Sequence, residues 1–355
     1  VWTDSDFQKL QVAIGAVMPY SHYFQSGTIG SGTCLFSKLP ILETLYHGFQ
    51  LNGYAHKVHH GDWFGGKGVG LCKIRFRDKI INMFNTHLHA EYSGRPDDEY
   101  LAHRVAQAFE MSQFIKNVSE TCDVVIIGGD FNLEPTDLGY KIIRTNALLR
   151  DSWLHLQHGR EKPEGSTCDV RTNSFVSKKS LEKVPEGKRI DYIMYRGNPG
   201  TDIVADKCEI TMGKVPGKQF NFSDHEGVAV TFNISNTEKS PSSKSGESPW
   251  DMLTLLDEAE TVIDKGLVKA RSDNNFYTVM AVLSMILFYG VSGLEISFFH
   301  IPLGYVFLKG LLIVTFTLMT AFFVWYKLIV NRIEVKGLRG TKNDIHNLKM
   351  TVKSK

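Results

Sequence analysis

Apolar and polar positions alternate in blocks along this chain, and the spacing inside each block predicts its element. Residues 124–127, Val-Val-Ile-Ile, are four consecutive apolar and mostly β-branched positions ahead of Gly128 and Gly129. That pattern predicts a buried strand that ends in a tight turn. Residues 80–87, Ile-Ile-Asn-Met-Phe-Asn-Thr-His, are another mostly apolar run with a polar end. Residues 189–195, Arg-Ile-Asp-Tyr-Ile-Met-Tyr, predict a strand with a carboxylate inside it, and residues 227–232 a last strand. Between 20 and 41, a glycine-rich turn, a short apolar stretch and the Lys38-Leu39-Pro40 stop predict a further core strand with its edge loop. Helical spacing rules residues 99–117: Leu101, Val105, Ala108, Phe109, Ser112 and Ile115 fall on one face, turned to the sheet, with His103 and Arg104 on the solvent side. A short helix and a connection fill 137–152, and Thr3 or Ser5 caps a helix at the start.

The pattern changes at Asn233. Residues 235–249 are rich in Ser, Lys, Glu and Pro, bury too little apolar surface to order themselves, and predict a flexible linker. Ser248 and Pro249 open an amphipathic helix over 250–273, with Met252, Leu255, Leu256, Ala259, Val262, Ile263 and Leu267 at helical spacing. It lies along a membrane or packs on protein. Residues 276–294 carry no charge and approach the roughly 20 residues that cross a bilayer core. Residues 303–326 are a matching run, interrupted only by Lys309, whose ammonium can reach the interface along its stem. The connection 295–302 holds no Lys or Arg, whereas Lys265, Lys269 and Arg271 precede the first run and Lys327, Arg332, Lys336 and Arg339 follow the second. The excess of cations on both flanks places them in the cytosol and the connection on the far side. Residues 327–355 are then a basic cytosolic tail able to touch anionic headgroups. The competing reading of the two runs is a buried core hairpin.

Charge and cysteine usage narrow the function classes. Lys and Arg number 40 against 38 Asp and Glu, so no whole-protein field steers the chain to a polyanion, and a nucleic-acid partner is unlikely without a local basic patch. Cys34, Cys72, Cys122, Cys168 and Cys208 are odd in number and scattered, without Cys-x-x-Cys, which argues against a disulfide framework or a zinc site and for a reducing compartment. Asn117-Val118-Ser119 and Asn221-Phe222-Ser223 match glycosylation acceptors, a triplet too common to carry weight. Asp130 and Asn132 follow the 124–127 strand: a carboxylate that can take a proton or place a water and an amide that can grip an oxygen, or a turn with a side-chain cap. His56, His59, His60 and Asp62 suggest a metal set, but adjacent His59 and His60 would point to opposite faces of a strand. Trp63-Phe64 between glycines is an interfacial prong or a loop hydrophobe. The glycines of 27–32 predict a turn, since no Gly-Lys-Ser/Thr follows them. His89 reads as a loop residue, residues 173–177 as a brief strand or a loop lining the cleft, and Lys188 with Arg189 as surface charge, the alternative being a pair that faces phosphates in a membrane-lipid enzyme.

The order strand-His87, strand-Gly-Asp130-x-Asn132, Arg-x-Asp191-Tyr, Ser-Asp224-His225 resembles the DNase I-like superfamily, also called endonuclease/exonuclease/phosphatase. Residues 56–70, 87–92 and 102–108 look like the neutral sphingomyelinases of two-pass membrane type. The resemblance implies an α+β fold, a four-layer α/β/β/α sandwich over residues 1–234 with its first strands missing, followed by a transmembrane helical hairpin. It implies a Mg2+-dependent phosphodiesterase of phospholipase C type that cleaves sphingomyelin to ceramide and phosphocholine. In that scheme His225 is the general base and Asp191 holds its other ring nitrogen. Asp130 and Asn132 position water and a phosphoryl oxygen, and His87 donates to the oxygen where charge develops. Asn132 and His87 touch the substrate, and Asp224 stands one step behind. The family's main metal ligand is a Glu in Gln-Glu-Val-Trp; Val1-Trp2 look like the tail of that motif, so this Glu is expected upstream and absent, with Asp130 and His225 near the ion. The implied partners are sphingomyelin and the bilayer. The catalytic part is expected to be cytosolic, at the endoplasmic reticulum, another intracellular membrane or the plasma membrane. Rival readings are a membrane-tethered phosphodiesterase for lyso-phospholipid, phosphoinositide or nucleic acid, and a non-catalytic membrane adaptor if the Glu is truly lacking.

Overall fold

The register of a mixed six-stranded sheet, order β3-β4-β5-β6-β8-β7, decides where the chemistry-bearing residues of this chain meet. The computed structural model describes residues 1–92, 98–157, 165–237, 250–294 and 303–354, in two units: Val1–Glu260 with Ile345–Lys355, and Thr261–Asp344. In the first unit, α1 (Asp4–Ile14) is capped by Thr3, whose hydroxyl accepts the Asp6 N–H. β1 (Tyr20–Tyr23) and β2 (Cys34–Ser37) form an antiparallel ribbon. β4 (Gly68–Phe76) runs antiparallel to both its neighbours, β3 (Ile41–Gly48) and β5 (Lys79–His87), with the one-turn helix α2 (Asp62–Gly65) between β3 and β4 in the chain. The chain then crosses through α3 (Leu101–Val118) to β6 (Val124–Asp130), parallel to β5, as a strand-helix-strand unit requires. After α4 (Leu138–Asn146), β7 (Arg150–Asp151), α5 (Ser152–Leu156) and α6 (Lys178–Lys183), β8 (Asp191–Gly197) returns antiparallel to both β6 and β7. β9 (Thr201–Thr211), a strand not expected from the sequence, pairs with β10 (Gly227–Asn236) in a second ribbon.

The core lies between α3, α4 and the sheet, where Phe84, Val125, Ile127, Met111 and Ile115 pack together. The other β layer expected of a four-layer sandwich consists of the two ribbons. Among the described residues, β2 pairs only with β1 and β10 only with β9.

Helix α3 departs from its expected faces. Leu101 is exposed, whereas His103 and Arg104 are buried. The helix is covered on two sides, so its buried arc is wider than a single apolar stripe. Both side chains have partners there: Gly53 N–H donates to His103 Nδ1, and the terminal nitrogens of the Arg104 guanidinium donate to the carboxylates of Asp98 and Glu91 and to the Asn132 carbonyl. A buried charge persists only with such partners.

In the C-terminal third, the expected helices 250–273 and 276–294 are one element, α7 (Met252–Ser292). Asp273-Asn274-Asn275 contain neither Gly nor Pro to break it. α8 (Leu303–Trp325) passes through five residues of π-helix, Tyr326–Val330, into α9 (Asn331–Lys353), so the basic tail is helical. Within the second unit, Asn331 Nδ2 donates to the Ala270 carbonyl at 2.8 Å and Lys342 pairs with Asp264 at 2.6 Å. Both helices are long and apolar enough to cross a membrane. The linker residues 238–249 and the connection 295–302 lie outside the described residues; residues 235–236 complete β10.

Candidate active site

Pairing alone assembles three of the expected residues. His87, last in β5, lies opposite Asp130, last in β6, and Asp130 lies opposite Asp191, first in β8. The β-bulge-free register of these strands thus lines up an imidazole and two carboxylates in adjacent positions. Gly129 makes the approach possible: at φ +151°, a Cβ on it would sit 2.0 Å from the Thr86 carbonyl oxygen. Immediately after the strand, Asn132 adopts a left-handed conformation, φ +48°. Asp130 Oδ1 accepts its backbone N–H at 2.8 Å, and the Arg104 guanidinium holds its carbonyl at 3.3 Å.

The fourth residue arrives from a distant segment. His225, just ahead of β10, directs Nδ1 to Asp191 Oδ2 at 2.8 Å, and its backbone bridges to Cys168. Among the described residues, Asp130, Asp191 and His225 are the His, Cys and carboxylate side chains that could share one ion, with ligand atoms within 4.8 Å of one another.

The electrostatics follow from burial and from two like charges side by side. Burial raises the Asp130 carboxyl above its ordinary value, and the neighbouring Asp191 carboxylate raises it further. For His225, burial opposes the charged form, but hydrogen bonds to Asp191 and Cys168 and the negative charges of Asp191 and Asp130 outweigh it, and its pKa is raised. His87 moves the other way. Burial and the adjacent Lys67 ammonium hold it well below an ordinary imidazole. Lys67 Nζ lies 3.0 Å from His87 Nε2, which therefore accepts from the ammonium.

Two hard carboxylates without an equal countercharge, one of them pushed toward its protonated form, are a donor set that suits a hard dication such as Mg2+. Among the described residues no glutamate joins that group.

The expected residues do not all land as the sequence suggests. The Asn132 NH2 is committed to the Leu88 carbonyl at 3.0 Å and to Asp130 Oδ2 at 3.1 Å, so here it orients the carboxylate. Asp224 is exposed and accepts from the Ser223 hydroxyl. It sits in the exposed bend over residues 222–224, after which the chain turns inward at His225. His89 is in a loop but fully buried, and His60 stacks on Tyr92 with centroids 3.7 Å apart instead of joining a metal set. Trp63 is partly exposed on α2, and residues 173–177 form a turn with Asn173 buried.

Lys67, which sequence reading did not single out, also stands at this site. It is 2% exposed, ion-paired to the equally buried Asp62, and donates to the Leu88 carbonyl at 2.9 Å. The only signal was a lysine between glycines at the head of an apolar strand. A cavity of about 330 Å3 opens beside Asp130 and Asp191, walled by Leu35 of β2, Met83 of β5, Ile126 of β6 and Val228 of β10.

Residues 1–225 match the Endonuclease/Exonuclease/phosphatase family. A Caenorhabditis elegans protein assigned to the neutral sphingomyelinases is 39% identical, over 98% of this chain and 80% of that protein. Sphingomyelin phosphodiesterase 2 of Homo sapiens is 40% identical, over 81% of this chain and 68% of that protein. Among solved structures, a beta toxin from Staphylococcus aureus with bound magnesium ions is similar at a TM-score of 0.47 and 23% identity, covering 64% of this chain and 83% of that one.

Proposed function

We propose, from the premise that this chain belongs to the endonuclease/exonuclease/phosphatase family and within it to the neutral sphingomyelinases, that it hydrolyses sphingomyelin to ceramide and phosphocholine. The observation that carries this reading is the meeting of His87, Asp130, Asp191 and His225 at one end of the sheet. Hydrolysis joins a water oxygen to phosphorus, breaks the bond to the ceramide oxygen and delivers a proton to that oxygen. With Nδ1 held by Asp191, His225 keeps Nε2 for exchanging a proton with the water, as a general base does. Asp130, fixed by Asn132, orients that water. Lys67 supplies positive charge beside His87, on the side where phosphoryl oxygens gain negative charge. Asp130 and Asp191 are the oxygens that would hold Mg2+, which when bound contributes charge against the phosphoryl oxygens and offsets the field keeping His225 protonated.

The lipid substrate accords with the C-terminal third. Residues 276–294 and α8 are read as two membrane crossings, with both basic flanks and the catalytic unit in the cytosol and residues 295–302 beyond the bilayer. Tethering then raises the effective concentration of the site at the membrane surface. An intracellular membrane such as the endoplasmic reticulum suits the five free cysteines.

The test is phosphocholine release from sphingomyelin by the full chain in vesicles, beside nucleic acid and inositol lipids as substrates. His225→Ala should lower turnover by about 10²–10⁴-fold while membrane insertion persists. Unchanged turnover would remove His225 from the mechanism, and preference for another phosphodiester would replace the substrate.

A further inference from the structure

One large aromatic ring stands in water directly beside the candidate site. Trp2 is 40% exposed, and its ring centroid lies 5.5 Å from that of His87, at a tilt of 54°. The ring is not loose. The Tyr23 hydroxyl donates to the Trp2 carbonyl at 2.8 Å and the Val1 nitrogen to the Gly32 carbonyl at 3.0 Å, which fixes the backbone on both sides of it. Thr3 then caps α1, so the chain beyond Trp2 is held as well.

Two glycines fit the indole to its bed. A Cβ on Gly32, at φ +80°, would sit 3.3 Å from the indole Cη2 and Cζ3 and 3.2 Å from His87 Nδ1. A Cβ on Gly65, the last residue of α2, would sit 3.3 Å from Cζ3. Both approaches are closer than ordinary contact between heavy atoms, so a larger residue at either place would push the ring away. The loop that carries Gly32 is itself tied to α2, since the Thr28 and Ile29 N–H groups both donate to the Phe64 carbonyl.

His87 therefore has two unlike edges. Its Nε2 meets the Lys67 ammonium at 3.0 Å, and its Nδ1 looks toward Gly32, where the Trp2 ring lies. An anion belongs at the first edge. A rigid indole with much of its surface in water receives a cation at the second. The nearest charged side chains along the chain from Trp2 are Asp4 and Asp6, both carboxylates in the first turn of α1. Lys9 is drawn off to Asp6 at 3.2 Å, and Lys67 is only 2% exposed. A phosphocholine headgroup carries a matching pair of charges. Its nitrogen hangs from the phosphate by one oxygen and two carbons, a span comparable with that between the His87 and Trp2 rings. A quaternary ammonium has no N–H to donate and gains most from a π surface, whereas a primary ammonium holds its water strongly.

We propose that the Trp2 indole receives the trimethylammonium of the headgroup by cation–π contact. Trp2 is then a specificity-determining residue that selects quaternary ammonium headgroups over primary ammonium and uncharged polyol ones. This rests on the sphingomyelin reading for its substrate, but binding of the free headgroup tests it apart from turnover.

The full chain in detergent with Mg2+ is titrated calorimetrically with phosphocholine, phosphoethanolamine and inorganic phosphate. The parent should bind phosphocholine about tenfold more tightly than phosphoethanolamine. Trp2→Leu keeps apolar bulk without a π surface and should erase that preference; Trp2→Phe, with a weaker π surface, should keep about threefold of it. Inorganic phosphate, which reports on the His87 edge alone, should bind the three proteins within about twofold of one another. In turnover, the ratio of kcat/KM for sphingomyelin over ceramide phosphoinositol should fall about tenfold in Trp2→Leu, through KM. A parent without preference for phosphocholine, a preference that survives in Trp2→Leu, or an equal loss of phosphate and phosphocholine overturns the proposal. A chain that binds phosphocholine through Trp2 yet leaves sphingomyelin intact would overturn the function proposed above and uphold this site.

Discussion

Replacing Lys67 by Met tests whether the buried ion pair supports both the fold and the site. The Lys67 and Asp62 side chains are 2% and 3% exposed, and the ammonium also donates to His87 and to the Leu88 carbonyl. Methionine keeps the stem and removes the charge. Asp62 would then retain the Tyr92 hydroxyl as a donor, with His89, 3.7 Å away and depressed to a pKa of about 3, unable to replace the lost cation. A buried carboxylate stranded in this way costs about 3–5 kcal/mol. Adding Asp62→Asn removes the stranded charge, so the double variant should regain roughly 2 kcal/mol or more over Lys67→Met alone. Chemistry should suffer in both, because Lys67 is among the charges that restrain the Asp130 carboxyl from rising further. The assay is urea unfolding of the full chain in detergent, with phosphocholine release measured in parallel. A Lys67→Met midpoint equal to the parent's, or a double variant no more stable than the single one, would refute the reasoning.

Two further predictions follow from the titrating groups. Asp191→Asn removes the negative partner that raises both His225 and Asp130, so both pKa values should fall and turnover should drop; a pH-rate profile identical to the parent's would show that the pair does not set the protonation state. His89 is buried and depressed from 6.5 to about 3, so between those values the unfolded chain binds a proton that the folded chain does not. Stability is therefore complete above about pH 6.5 and should be lost on acidification by about 1.4 kcal/mol per pH unit down to about pH 3. The same urea titrations at descending pH measure that slope, and His89→Asn should flatten it by that amount if the imidazole is its source.

Local pattern made most of the catalytic unit legible. The run 124–127 with its glycines places Asp130 at a strand end, and the run 80–87 does the same for His87. The residues that escaped are those whose environment is made by distant chain. Arg104 and His103 looked solvent-directed because a helical period counts only apolar positions, yet Asp98, Glu91, Gly53 and the Asn132 carbonyl come from elsewhere to satisfy them. The join of two expected helices into α7 escaped for the opposite reason: a polar stretch reads as a boundary, but without Gly or Pro the backbone simply continues.

By itself the amino-acid order determined the strands that carry His87, Asp130 and Asp191, the apolar helices and the residue types at those strand ends, but not β3, β4 or β9, since alternation and helical period report burial one element at a time. Only the tertiary structure decided which charges go inside and which way neighbours turn: Lys67 inward with Asp62, His225 inward and Asp224 outward, Asn132 bent onto Asp130. The partner can be close in sequence, as Asp62 is to Lys67 and Asp130 to Asn132, but what turns these groups inward comes from elsewhere in the chain: the Leu88 carbonyl for Lys67 and Asn132, and Asp191 for His225.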